Sequence, residues 1–95
     1  MADDPHWELV SFVLSSAVRT NVLDALRAQR STPSQIAKRV DQPLSHVSRA
    51  LRELQSKSLV NLLTPSRTKA RLYEITERGR EVFERVASLR GGRKP

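Results

Sequence analysis

The stretch PLSHVSRALRELQSKSLV, residues 43–60, has two unlike sides when it is drawn as a helix. At about 100° per residue, the side chains of Val47, Leu51 and Leu54 fall within one sector, and Ala50 lies beside them. The opposite sector holds short polar residues and arginines, namely Ser45, Arg49, Arg52 and Ser56, and its flanks hold His46 and Ser48. The pattern predicts a helix over residues 43–56 that buries one side and presents a polar, cationic side outward.

The residues before this helix predict a shorter helix that is joined to it by a tight turn. Thr32 can cap a helix, Pro33 suits its first position, and Gln35 can bond back to the cap. Residues 41–43, with the sequence DQP, make the connection. A short capped helix, a tight turn and a two-sided helix together form a helix-turn-helix pattern.

The residues after the helix predict two strands on either side of a basic turn. In order they are SLVNLL (58–63), TPSRTKA (64–70) and RLYEI (71–75). In the second strand we expect Leu72, and Tyr73 or Ile75, to face inward. A helix-turn-helix followed by a hairpin is the winged-helix arrangement, a mainly α fold with a small β-hairpin.

Apolar helices are predicted at both ends of the chain. Asp4 and Pro5 signal a helix start, and six of the eight residues from Trp7 to Leu14 are apolar, so this helix needs cover on most sides. Ser16 can cap a second helix that ends near Gln29 or Arg30. Thr76 can cap a last helix, whose narrow apolar stripe is typical of a helix that pairs with another. We therefore predict a dimer interface of Trp7, Val10, Phe12, Leu14, Val82, Phe83, Val86 and Leu89.

The charge of the chain is concentrated in its middle. The 95 residues carry 17 Lys and Arg against 10 Asp and Glu, a net charge of +7. Residues 1–26 hold one basic and four acidic groups, residues 27–71 hold ten and two, and residues 72–95 hold six and four. A folded segment with a net charge of +8 favours a polyanionic partner, nucleic acid before a membrane; a basic surface that is merely well solvated is the simpler alternative.

The composition argues against most kinds of catalytic site. The chain has no cysteine, no zinc-ligand spacing among its histidines and carboxylates, no HExxH motif, no nucleophile elbow and no glycine-rich phosphate loop. We therefore expect no enzyme, no metal and no cofactor. No apolar run approaches the roughly 20 residues that span a bilayer, and the acidic start MADDPHW does not resemble a signal peptide. A cytoplasmic, nucleoid-associated protein is the expectation.

The run from Thr32 to Val82 resembles the winged helix-turn-helix of small prokaryotic transcriptional regulators of the ArsR/MarR-like group, and especially short archaeal regulators. Its most specific parts are LSHVSRALRELQSKSLV (44–60) and LYEITERGREV (72–82), and the likeness covers roughly residues 16–86. The resemblance implies sequence-specific binding of double-stranded DNA by a homodimer, with the 43–56 helix in the major groove.

Three features depart from the family's pattern. Glycine is usual where Ser58 lies, and serine there costs strain if the backbone is left-handed. Pro43 replaces a more usual capping serine. The cysteines and histidine clusters of the metal-sensing members are missing, so metal sensing does not carry over.

We expect one domain over residues 1–90, with a core of 16–76, dimerisation helices at 4–14 and 77–90, and a disordered tail at 91–95. The wing, residues 64–70, is expected on the DNA backbone or in the minor groove. The side chains predicted to contact DNA are Thr32, Ser34, Gln35, Ser45, His46, Ser48, Arg49, Arg52, Arg67, Lys69 and Arg71. A winged-helix module for protein interaction and a non-specific chromatin-associated binder are the alternatives.

Overall fold

The computed structural model describes residues 6–66 and 68–90, which form five helices and one two-stranded antiparallel hairpin. The elements are α1 (Trp7–Leu14), α2 (Ala17–Ala28), α3 (Pro33–Val40), α4 (Leu44–Ser56), β1 (Val60–Leu62), β2 (Tyr73–Ile75) and α5 (Glu77–Leu89). In the hairpin, Val60 pairs with Ile75 and Leu62 with Tyr73. The predicted winged-helix order of elements is confirmed.

Three helices begin at the capping residues that the sequence predicts. The side-chain oxygens of Ser16 and Thr76 each accept a hydrogen bond from the backbone N–H three residues further on, at 3.1 and 2.9 Å. Both halves of the capping box form at α3, because Gln35 N–H donates to Thr32 Oγ1 and Thr32 N–H donates to Gln35 Oε1. Each bond satisfies an N–H group that has no partner within its helix.

Some boundaries differ from the predictions by a few residues. The helix α1 follows His6, while Asp4 and Pro5 lie outside the described residues. The helix α4 begins at Leu44, and Pro43 precedes it without a side-chain capping bond. The strands are shorter than predicted, with three residues each, and in β2 it is Tyr73 and Ile75 that point inward.

The hydrophobic core is centred on α2, which contacts α1, α3, α4, α5 and β2. Val22, Leu23 and Leu26 of α2 are buried, and they meet the side of α4 that the sequence predicts to face inward. Burying a leucine or valine side chain stabilises a fold by roughly 1.5–3 kcal/mol, so this meeting of helices fixes the orientation of α4. The other side of α4 is thereby left at the surface.

The backbone is left-handed at Ser58, in the turn between α4 and β1, where similar regulators usually have glycine. Ser58 has φ of 62°, and its N–H donates to the carbonyl of Gln55, while Leu59 N–H donates to that of Leu54. This is a Schellman ending, in which glycine is the usual residue at the left-handed position. The serine therefore carries backbone strain that a glycine would not.

Four of the eight residues predicted for a dimer interface are core residues of the single chain. Val10, Val82 and Val86 are fully buried, Phe83 is nearly so, and α1 packs directly on α5. These four side chains are covered within the single chain, and the predicted dimer interface stays a prediction. Trp7, Leu14 and Leu89 are exposed, and Phe12 is half-buried.

In the described part of the chain, no single helix is long and apolar enough to cross a membrane. The helices α1 and α2 reach that length and composition only as a pair, and they are bent by 109° at their junction.

Candidate nucleic-acid interface

The outward side of α4 consists of the residues that the sequence assigns to it. Ser45, His46, Arg49 and Arg52 are exposed, and Ser48 is half-buried. Their positions follow from the burial of the opposite side, since a helix with one covered face must turn the other to solvent.

A groove of about 560 Å³ runs between the start of α3, one flank of α4 and the wing. It is lined by Thr32, Pro33, Ser34, Leu44, Ser48, Arg52, Thr68, Ala70, Arg71 and Tyr73. The groove brings together five residues that the sequence predicts as DNA contacts, from segments up to 40 positions apart: Thr32, Ser34, Ser48, Arg52 and Arg71. It combines two arginines with small hydroxyl side chains.

The groove also contains a residue that sequence reasoning missed. Leu44, the first residue of α4, is 49% exposed, although leucine usually lies in a core. It shares the groove with Ser48 and Arg52, which follow at four-residue intervals on the same flank of the helix. On the helix Leu44 lies one turn before Ser48 and about 20° from buried Leu51, at the margin of the buried sector, so periodicity did not show that it is exposed.

Arg71, which lines this groove, has an unusual feature. Its Nε is buried, and no hydrogen-bond acceptor reaches that atom among the described residues. A buried donor without a partner costs about 1–3 kcal/mol, and more when the group is charged.

The wing is fastened to the start of α3 by a contact that the sequence did not indicate. Ser31, which is fully buried, exchanges two backbone hydrogen bonds with Tyr73, each of 3.0 Å. Next to this contact, toward the turn, Leu63 N–H donates to the Leu72 carbonyl, and Thr64 Oγ1 accepts from Leu72 N–H. The strands therefore carry the basic turn to the same face as the outward side of α4.

Not all predicted site residues share the groove. Arg49 and His46 line a neighbouring depression with Ser16, Val18, Arg19, Ala50 and Glu53, on the other flank of α4. Ser45 and Lys69 are exposed outside both depressions, and the amide oxygen of Gln35 is engaged by the α3 cap. Arg67 lies outside the described residues.

The second depression contains a network around one carboxylate. Glu53 Oε1 accepts a 2.9 Å hydrogen bond from Arg19 Nε, and its Oε2 lies 3.4 Å from Arg49 Nε. The hydrogen bond from Arg19, reinforced by the nearby charges of both arginines, lowers the pKa of Glu53 below its ordinary value. Glu53 is therefore ionised at neutral pH.

Within residues 6–66 and 68–90, no group of three or more His, Asp or Glu side chains is placed to hold a metal ion.

In comparison with protein families, the chain matches the HVO_A0261 N-terminal domain over residues 7–93. None of the curated proteins matches the sequence. The family match covers nearly the whole winged helix described above.

Solved structures of transcription regulators resemble the chain. Escherichia coli MarR, a cysteine-to-serine mutant solved in complex with operator DNA, is 29% identical with a TM-score of 0.69, over 88% of this chain and 64% of that one. BldR from Sulfolobus solfataricus is 25% identical with a TM-score of 0.70, over 79% and 55%. ZitR from Lactococcus lactis, solved as a double mutant, is 24% identical with a TM-score of 0.67, over 77% and 51%, and its likeness shows the fold alone. The chain thus spans about half the length of ZitR and BldR. The predicted resemblance to MarR-like winged-helix regulators is confirmed.

Proposed function

Since the chain belongs to the family of the HVO_A0261 N-terminal domain, we propose that it binds double-stranded DNA as a sequence-specific transcription regulator. The observation that carries the proposal is the groove between α3, α4 and the wing, with its two arginines and its hydroxyl side chains. The similar protein MarR has been solved with operator DNA, which supports DNA binding by this chain.

In the proposed complex, α4 enters the major groove with its outward side toward the bases. Arg52 and Arg49 are long enough to reach guanine O6 and N7, while Ser45 and Ser48 are short enough to let the helix lie close. His46, near the start of the helix, donates to a phosphate or a base. Thus the arginines supply discrimination, and the short side chains permit the approach.

Phosphate contacts set the register of the helix. The hydroxyl groups of Thr32 and Ser34, at the start of α3, suit one phosphate. Arg71 supplies a cation in the same groove, and Lys69 extends the basic wing along the DNA backbone; the predicted contact of Arg67 rests on the sequence alone. The net charge of +8 over residues 27–71 attracts the polyanion to this side of the molecule.

The protein acts as a homodimer in this proposal. Trp7 and Leu14 lie on one line of α1, two turns apart, and Leu89 extends the buried stripe of α5 to its exposed end. These exposed apolar side chains, with half-buried Phe12, form the surface for a second copy. A two-fold axis would then place two α4 helices in successive major grooves, about 34 Å apart.

Selection of bound sites from random-sequence DNA, followed by sequencing, tests the function. A palindromic motif with half-sites about one helical turn apart is expected, and gel-shift titration should then show affinity that falls steeply as salt rises. Equal affinity for every duplex would instead favour the chromatin-associated alternative. No measurable affinity for duplex DNA would reject DNA binding, and so would an affinity that does not change with salt. Either result would favour a protein-interaction module.

A further inference from the structure

One carboxylate lies within the surface that is proposed to meet DNA. Glu53 is the only acidic residue of α4 and one of two among residues 27–71, beside ten basic ones. A negative charge there opposes the attraction of a polyanion. Its contacts with Arg19 and Arg49 offer a specific reason for its presence.

Arg19 holds Glu53 in one position. Besides its bond to Glu53, the Arg19 guanidinium donates to the Phe12 carbonyl oxygen at 2.6 Å and to Ser15 Oγ at 2.9 Å. It also lies 4.1 Å from the centroid of the Phe12 ring, and its side chain is only 18% exposed. A planar guanidinium with so many partners has little freedom left, so it fixes the carboxylate that it binds.

Arg49 has the opposite surroundings. Its side chain is 76% exposed, and its ion pair with Glu53 is made through Nε. The two terminal NH2 groups of the Arg49 guanidinium therefore stay available for a ligand. Two amines at this spacing match O6 and N7 of guanine, whereas a phosphate brought to the same place meets the repulsion of the Glu53 carboxylate.

We propose that Glu53 is a positioning residue that restrains Arg49 for base recognition and opposes its pairing with phosphates, and so raises discrimination between a specific site and other DNA. This inference rests on the proposed DNA-binding function. An exposed ion pair four residues apart on a helix is weak by itself. Here the side-chain entropy that is lost when the ion pair forms is mainly that of Arg49, because Arg19 already orders the Glu53 carboxylate.

Glu53→Gln tests the inference, since it keeps the shape of the side chain and removes its charge. Glu84→Gln is the matched control, because it removes the same charge from an exposed side chain of α5 that does not line the depression around Glu53. Wild type and both variants are titrated against a duplex that carries the selected site and against a scrambled duplex of equal composition, at several salt concentrations.

In Glu53→Gln, affinity for the scrambled duplex should rise by a factor of about two to five relative to the control, and discrimination should fall by at least that factor. Its plot of log affinity against log salt should steepen by up to about 0.9, the contribution of one more fully effective cation. Equal shifts in Glu53→Gln and Glu84→Gln would mean that only net charge matters, and would overturn the inference.

Arg49→Gln is a second variant, and it should fold normally because the Arg49 side chain is exposed. It should lose discrimination, and Glu53→Gln should then have little further effect in its presence; independent effects would contradict the coupling. Wild-type protein that binds neither duplex would overturn the proposed function and this inference together. Wild-type protein that discriminates, with Glu53→Gln discriminating equally, would overturn the inference alone.

A measurement without DNA tests the inference independently of the proposed DNA-binding function. In ¹⁵N relaxation, the Arg49 Nε–H group of the free protein should be restrained in wild type and more mobile in Glu53→Gln. Equal mobility in the two proteins would remove the basis of the inference, whatever the DNA titrations show.

Discussion

The carbonyl oxygen of Ser58 accepts a 2.8 Å hydrogen bond from Thr76 Oγ1, and this bond joins the end of α4 to the start of α5. The same Thr76 oxygen also accepts from Gly79 N–H at 2.9 Å, as the cap of α5. One hydroxyl therefore connects the left-handed turn after α4 with the cap of α5. Substitutions at Ser58 and Gly79 test the two sides of this connection.

Replacing Ser58 with glycine should stabilise the fold. The backbone at Ser58 has φ of 62°, where a side chain is strained, so Ser58→Gly should raise the free energy of unfolding by roughly 0.5–1 kcal/mol after the extra entropy of the unfolded glycine is counted. Ser56→Gly, in the last helical position of α4, is the control and should lower it by a similar amount. Urea unfolding measures both, and a less stable Ser58→Gly would contradict the strain argument.

Replacing Gly79 with alanine should destabilise the fold. A Cβ at Gly79 would collide with the carbonyl oxygen of Leu59 and lie 2.7 Å from Ile75 Cγ1. Backbone cannot yield as a flexible side chain does, so the expected loss is about 1–3 kcal/mol. Arg78→Ala, at the exposed neighbouring position, should change stability by less than about 0.5 kcal/mol. Equal melting temperatures for the two variants would show that α5 can move away from the hairpin.

The ion pair between Glu53 and Arg19 makes stability depend on pH. Because the pKa of Glu53 is lowered in the folded state, its contribution is present above the ordinary carboxyl value of 4.5 and is lost as pH falls through the lowered pKa. Glu53→Gln should therefore be less stable than wild type at neutral pH, and the difference should shrink in acid. Urea unfolding across this range measures it, with Glu84→Gln as the charge control. A difference that is constant with pH would exclude the electrostatic origin.

Leu44 should matter for DNA binding more than for stability. At 49% exposure, Leu44→Ala should alter the free energy of unfolding by less than about 0.5 kcal/mol. In the proposed complex its side chain meets a thymine methyl group, so the variant should bind the selected duplex about fivefold more weakly. Replacing the thymines of that duplex with uracil should weaken wild type but not Leu44→Ala. A variant that still responds to uracil would show that another residue reads the methyl group.

The exposed end of the α5 stripe should control association. Leu89 is 54% exposed, so Leu89→Lys should raise the dissociation constant of the proposed dimer at least about tenfold without unfolding the monomer. Ser88→Lys adds the same charge next to it and is the control. Light scattering over a concentration series measures the constants; wild type that is monomeric at high micromolar concentration would reject the dimer.

The caps and the sidedness of α4 were predictable because they depend on neighbours within a few residues. The hydroxyl of Thr32 meets an N–H three positions on, and the burial of Val47 and Leu51 follows from helical periodicity. The left-handed Ser58 was also foreseeable, from a position where related regulators have glycine. The sequence could not separate core from interface residues at Val10, Val82, Phe83 and Val86, because an apolar stripe shows that a helix is covered but not whether its own chain or a second copy covers it.

Periodicity alone placed Arg49 and Arg52 together on the outward side of α4, and the concentration of positive charge in the middle of the chain indicated a polyanionic partner. Only the tertiary structure separated the two arginines, with Arg52 in the groove beside the wing and Arg49 in the depression beside Glu53. The physical reason is that the angle of a side chain about its helix is a local property. What lies next to each flank depends on packing between distant segments, such as the bond that joins Arg19 to Glu53 across 34 residues.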